Sequence, residues 1–125
     1  MMRWLPFVLA SLIGTAQAEN ISFENDVLPI LNSYCVMCHL PGSEQGGLGL
    51  YPDAWARVVG VPSAQSALLL VDPGAPDNSY LYIKLIDSGE SAGGSGRLMP
   101  IQQPPLEPGQ IETIRLWIEQ GAQQN

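Results

Sequence analysis

Both cysteines and the single histidine of this chain lie within five consecutive residues, Cys35-Val36-Met37-Cys38-His39. Two thiols three positions apart face the same side of a helical turn, where both can bond to the two vinyl groups of one porphyrin. The next residue, His39, then lies where a ring nitrogen can bind the iron. C-x-x-C-H is the attachment pattern of c-type haem. We therefore predict Cys35 and Cys38 as covalent attachment residues for one haem c and His39 as an iron ligand.

A six-coordinate haem iron needs a second protein ligand opposite His39. The chain has no other histidine, and methionine is the usual partner of histidine in electron-transferring c-type haems. Beyond residue 18 only Met37 and Met99 remain, and Met37 lies between the two cysteines, on the side of His39. Met99 is therefore the predicted distal ligand, on a backbone that Pro100 pushes away from helix. The alternative is that Met99 only fills the core, as methionines often do.

Three readings without haem compete for the two cysteines. A thioredoxin-like redox pair needs strands and helices in alternation around it, and no strand pattern surrounds this pair. A structural zinc site needs four ligands, whereas the chain supplies two cysteines and one histidine. A structural disulfide between Cys35 and Cys38 leaves the adjacent His39 without a role. The haem motif accounts for all three residues.

The first eighteen residues have the layout of a secretory signal peptide. Arg3 supplies a positive start, residues 4–13 are mostly apolar, and Ala16-Gln17-Ala18 is a small-residue cleavage site. An apolar run of roughly 10 residues is too short for a membrane anchor, which takes about 20. We therefore predict cleavage after Ala18, export to the periplasm, and one cytochrome c domain over residues 19–125. Haem c is attached on that same outer side of the membrane.

The chain is acidic, with a net charge of −7. Without Arg3, four cations face twelve carboxylates, a balance of −8. Nucleic acid is therefore a poor partner, because its binding depends on clustered lysine and arginine. The charge favours an encounter with a basic patch on a redox partner protein, although it can also serve solubility alone.

Two helices are predicted near the ends of the exported chain. The first covers residues 22–34, is capped by Ser22 or Asp26, and is broken or tightened near Pro29. The second begins at Pro108 and ends before Gly121. Apolar residues fall near helical spacing in both: Phe23, Val27, Leu28, Leu31 and Tyr34 in the first, and Ile111, Ile114, Trp117 and Ile118 in the second.

The middle of the chain predicts short elements and long connections. Residues 40–52 are rich in turn formers, and residues 53–59 form a short helix. Residues 77–79 offer N-cap candidates for a further helix that continues to Leu85. Residues 87–96, rich in serine and glycine, are predicted to form a mobile loop, and residues 100–105 an extended stretch. The predicted fold class is all-α.

These motifs together resemble the monohaem cytochrome c superfamily, and in particular the small planctomycete-type cytochrome c domains. The similarity extends over nearly the whole exported chain. Its motifs, in order, are Phe23-x-x-Asp26-Val27-x-Pro29-Ile30-Leu31, Cys35-x-x-Cys38-His39, Gly46-Gly47-Leu48-x-Leu50, Pro73-Gly74-x-Pro76-Asp77-Asn78-Ser79-x-Leu81, Met99-Pro100 and Ile114-x-x-Trp117-Ile118-x-x-Gly121-Ala122. The haem motif is highly specific, and the other pieces are informative only together.

The resemblance implies a cytochrome c-like fold in which the N-terminal and C-terminal helices cross, bringing Phe23, Val27 and Leu31 against Ile114, Trp117 and Ile118. It also implies thioether bonds at Cys35 and Cys38, with His39 as the proximal ligand and Met99 as the distal ligand.

The expected function is single-electron transfer between redox partner proteins, without catalysis, because both axial positions of the iron are filled. Two alternatives are a haem protein that binds nitric oxide or carbon monoxide, and a fixed electron-transfer subunit of a larger oxidoreductase complex. Arg97 is a candidate partner for a haem propionate, with a plain surface role as its alternative. Trp55 and Tyr80 are candidates for haem packing or propionate binding, with core packing as the alternative.

Overall fold

Helical segments near the two ends of the described chain pack together and form the framework of the fold. The computed structural model describes residues 19–125. The predicted signal peptide at residues 1–18 therefore lies outside the described residues. Within them the structure is mostly helical and contains little strand, which agrees with the predicted all-α class. None of the helices described is both long and apolar enough to span a bilayer.

The N-terminal segment begins as a wide turn and continues as an α-helix. A π-helical turn covers Phe23–Val27, and α1 follows over Leu28–Tyr34. Ser22 caps the turn, since its hydroxyl accepts from the Asn25 N–H and its own N–H donates to the Asp26 carboxylate. Pro29 lies in the first turn of α1, where its missing N–H costs little. The chain thus widens ahead of Pro29, whereas the sequence analysis expected a break or a tightening.

The C-terminal helix has the predicted bounds. We label it α4, and it covers Pro108–Glu119. At its start the Gln110 side chain accepts from the Glu107 N–H at 3.0 Å. Gly121 follows its end with φ 105°, a backbone conformation that favours glycine. Ile114, Trp117 and Ile118 are buried, as their helical spacing predicts.

The contact between the two end segments is centred on two aromatic rings. The centroids of Phe23 and Trp117 are 5.2 Å apart, with the rings tilted by 35°. Both side chains belong to one hydrophobic core with Val27, Leu31, Ile114 and Ile118. The N-terminal turn therefore packs against α4 through Phe23 and Trp117.

Short elements connect the two ends. An antiparallel hairpin of β1 (His39–Leu40) and β2 (Ser43–Glu44) follows the cysteine motif. The helix α2 covers Ala54–Val58 and α3 covers Tyr80–Ile86. The sequence predicted a turn-rich region here and did not predict the hairpin, because strands of two residues are too short to leave an alternating pattern.

Ser79 has a different role from the predicted one. It directly precedes α3 and is fully buried, but its hydroxyl does not cap the helix. The hydroxyl instead accepts from the Asp72 N–H at 2.9 Å and donates to the Ala75 carbonyl at 2.9 Å. Ser79 therefore stabilises the turn that leads into α3.

Candidate functional site

The cysteine motif lies where α1 ends and the hairpin begins. Cys35 follows the last residue of α1, a 3-10 turn covers Val36–Cys38, and His39 starts β1. The Cys38 N–H donates to the Cys35 carbonyl at 3.3 Å, which closes one turn between the two cysteines. The two cysteines therefore lie at the two ends of one short turn.

The two cysteines are free thiols that differ in exposure. Cys35 is half-buried against the hydrophobic core, and Cys38 is exposed. Burial, with a smaller effect of neighbouring Cys38, raises the pKa of the Cys35 thiol to about 11. Cys35 is therefore a neutral thiol at pH 7. A redox-active thiol pair lowers the pKa of its attacking cysteine, so this environment does not favour the thioredoxin-like alternative.

The His39 ring is oriented by a main-chain carbonyl. Its Nδ1 lies 2.9 Å from the Leu48 carbonyl oxygen. A carbonyl only accepts, so this contact assigns the neutral ring the tautomer with its proton on Nδ1 and its lone pair on Nε2. A backbone hydrogen bond also joins the two segments, since the Leu50 N–H donates to the His39 carbonyl at 2.7 Å. The contact thus fixes the orientation of the ring, as second hydrogen bonds do for histidines that bind metals in other proteins.

Two glycines bring Leu48 to His39. Gly46 and Gly47 have φ of 65° and 75° and form the turn after β2. This conformation is unfavourable for other residues, so the glycines let the chain fold back beside the histidine. Sequence reasoning did not single out Leu48 as a partner of His39, because the group that binds is its carbonyl, which every residue carries.

Met99 lies in the connection between α3 and α4, outside any helix, as predicted. Its N–H donates to the carbonyl of Lys84, in α3, at 2.8 Å. The side chain is half-buried and packs against the same hydrophobic core as Cys35. The contacts place Met99 and the motif on a common core; ligation of one iron by His39 and Met99 stays a prediction.

The donor groups present suit a haem better than a bare metal ion. Within residues 19–125, no three His, Cys, Asp or Glu side chains are grouped so as to hold a metal ion. A haem iron needs far fewer protein donors, because the porphyrin supplies four nitrogens. One oriented imidazole and two free thiols around one turn are the groups that covalent haem attachment uses. Cys35, Cys38 and His39 are the residues that would hold a covalently attached haem, and Met99 is the remaining sulfur of the described chain outside the motif.

Two cavities of the described chain lie away from the motif. One, of about 490 Å³, is lined mainly by α3 and the loop after it, including Tyr82, Ile83 and Asp87. The other, of about 300 Å³, lies beside the glycine turn and includes Leu48 and Arg57 in its wall. Neither is lined by the cysteines, His39 or Met99, so neither is assigned to the cofactor.

Two of the candidate propionate partners donate hydrogen bonds to other groups of the protein. The Trp55 indole N–H donates to the Ala122 carbonyl at 2.8 Å, and the buried Tyr80 hydroxyl donates to the Gln65 side chain at 3.2 Å. In the structure the polar groups of both residues are bonded to protein. Arg97 is exposed.

Comparison of the chain with protein-family models, with curated proteins and with solved structures finds no match.

Proposed function

We propose that this protein is an exported c-type cytochrome that carries single electrons between redox partner proteins through one covalently attached haem c. The observation that carries the proposal is the His39 ring, fixed through Nδ1 on the Leu48 carbonyl, directly after two free thiols on one turn. Haem supplies a one-electron iron couple, and a histidine/methionine ligand pair raises its reduction potential.

Each proposed residue has a defined task. Cys35 and Cys38 would hold the haem through thioether bonds, formed by adding each S–H across a vinyl group without oxidant or reductant. His39 would bind the iron through Nε2, and its contact with the Leu48 carbonyl restrains the ring. Met99 would supply a sulfur ligand to the same iron.

The proposed role is transfer and not catalysis, because His39 and Met99 would together leave the iron without an open site for a substrate. Electron transfer then needs only a brief approach of a partner to the cofactor edge, in a small and transient interface. The acidic chain favours a partner with a basic docking surface. No residue is assigned a catalytic role.

The first test is an absorption spectrum of the protein produced in a host with haem-maturation machinery, with mass spectrometry of the same sample. We expect one haem per chain that survives denaturation, sharp reduced bands of the c type, and a weak far-red sulfur-to-iron band in the oxidised form. Cys35→Ala and Cys38→Ala variants should each lose one covalent bond to the cofactor.

The other outcomes separate the alternatives. Covalent haem without the sulfur band, together with rapid carbon monoxide binding to reduced protein, would favour a gas-binding role. Normal spectra in a protein that exchanges electrons only within a stable assembly would favour a fixed subunit. Absence of covalent haem from a folded, exported protein would overturn the proposal.

A further inference from the structure

The loop between α3 and Met99 is held onto α3 by a buried lysine. Lys84 is the single lysine of the chain and is only 6% exposed. Its Nζ donates to the carbonyl of Ser88 at 2.7 Å and to that of Ser95 at 3.1 Å. One ammonium therefore joins the beginning and the end of the serine- and glycine-rich loop.

The same loop is packed against the aromatic ring one turn earlier on α3. Tyr80 is 3% exposed, and the Lys84 Nζ lies 6.0 Å from its ring centroid. A Cβ on Gly94 would collide with the Tyr80 hydroxyl oxygen, and one on Gly89 would lie 2.7 Å from it. The loop backbone thus approaches α3 so closely that only glycine fits at these two places.

The lysine also connects this loop to the proposed distal ligand. The Lys84 side chain holds Ser88 and Ser95, while the Lys84 carbonyl accepts from the Met99 N–H at 2.8 Å. One residue of α3 therefore restrains the chain on its approach to Met99 and at Met99 itself. Hydrogen bonds from an ammonium are stronger than those between neutral groups, and their burial keeps water from competing.

We propose that Lys84 is a positioning residue for Met99: its buried ammonium closes the loop of residues 88–95 and so keeps the methionine sulfur in place as an iron ligand. The inference rests on the proposed function, because it assigns Met99 to the iron. It assigns no contact between Lys84 and the cofactor. A loop without this closure would let Met99 leave and rebind more often, and an external ligand could take its place.

The test compares three variants of the haem-loaded protein. Lys84→Met keeps a long apolar side chain but removes all donors, Lys84→Arg keeps a cation that can donate to both carbonyls, and Ile118→Val is a control that weakens the core far from this loop in the sequence. Cyanide binding to the oxidised haem reports how often Met99 leaves, and hydrogen exchange of the Met99 amide reports opening of the loop without reference to the iron.

We expect Lys84→Met to speed both cyanide binding and Met99 amide exchange by about tenfold or more, because two charge-assisted hydrogen bonds are lost. The far-red sulfur band should weaken. Lys84→Arg should keep most of the wild-type behaviour in cyanide binding, amide exchange and the sulfur band. Ile118→Val, compared with Lys84→Met at an equal loss of thermal stability, should change neither rate by more than about twofold.

The possible failures are distinguishable. If Lys84→Met exchanges the Met99 amide at the wild-type rate, the positioning role is wrong, whatever the iron does. If amide exchange quickens but cyanide binding and the sulfur band stay unchanged, the loop closure is real but does not control the ligand, and the inference is overturned. If the wild-type protein carries haem without a sulfur band, the assignment of Met99 to the iron fails and the inference with it. Absence of covalent haem instead overturns the proposed function.

Discussion

At the scale of the residue, the proposed function depends on one sulfur atom. Met99→Ala should keep covalent haem, since Cys35 and Cys38 are intact, but should lose the far-red band and gain tight binding of carbon monoxide and cyanide. Absorption spectra with and without these ligands provide the measurement. Met37→Ala is the matched control, because Met37 lies within the motif and is 77% exposed. An unchanged spectrum in Met99→Ala would remove Met99 from the iron.

A second residue-scale prediction concerns Asp87, the first residue after α3. Its carboxylate accepts from the Ser91 hydroxyl at 2.6 Å, the Gly89 N–H at 3.1 Å and the Ser88 hydroxyl at 3.2 Å. These hydrogen bonds, that of Ser91 above all, lower the pKa of Asp87 below its ordinary value of 3.8. A lowered pKa in the folded state stabilises the protein above the ordinary pKa, and the stabilisation is lost as the pH falls through the folded value.

Asp87→Asn should therefore lower the melting temperature at pH 7. Below about pH 4 the melting temperature of the variant should fall less steeply with pH than that of the wild-type protein. Lys84 is the cation that interacts with this carboxylate and remains in the variant. Thermal melts of both proteins between pH 7 and pH 2 provide the measurement. Parallel curves, with the same difference at every pH, would show that ionisation of Asp87 does not contribute to stability.

At the scale of the element, the packing of the N-terminal turn on α4 carries a stability prediction. Phe23 is 4% exposed and Trp117 is 1% exposed, and their rings are in direct contact. Phe23→Ala leaves a cavity next to Trp117 and should cost about 3–5 kcal/mol of unfolding free energy. Chemical denaturation of the haem-loaded protein provides the value. Glu24 is exposed beside Phe23, so Glu24→Ala should change the unfolding free energy by less than about 0.5 kcal/mol. An equal loss of unfolding free energy in both variants would show that the ring contact is not its cause.

At the scale of the whole molecule, the acidic charge predicts how the protein meets its partners. Opposite charges speed the encounter of two proteins, and salt screens that attraction. Electron transfer to a basic redox protein should therefore become several-fold slower as the ionic strength rises from about 10 to 200 mM. Transfer to an acidic partner should become faster or stay constant. Stopped-flow rates with one partner of each charge provide the measurement. A salt-independent rate with the basic partner would leave solubility as the role of the charge.

The sequence alone determined the features that depend on residue type and regular spacing. The cysteine and histidine motif, the single remaining methionine outside it, the bounds of α4 and its buried face of Ile114, Trp117 and Ile118 were all readable from the chain. These features depend on local geometry, in which a helix repeats every 3.6 residues, proline suits a first turn and glycine suits the position after the last.

Only the tertiary structure decided how those residues are held, because the groups involved are backbone atoms or distant side chains. Residue types do not show that the Leu48 carbonyl lies beside His39 or that the Ala122 carbonyl accepts from the Trp55 indole. They also do not show that Lys84 binds two carbonyls of the following loop. The loop after α3 was expected to be mobile from its serine and glycine content. That composition does not show that the backbone of these glycines approaches Tyr80 and Lys84 closely. Composition indicates which conformations are open to a segment of the chain. The contacts that select one of them come from residues far apart in the sequence.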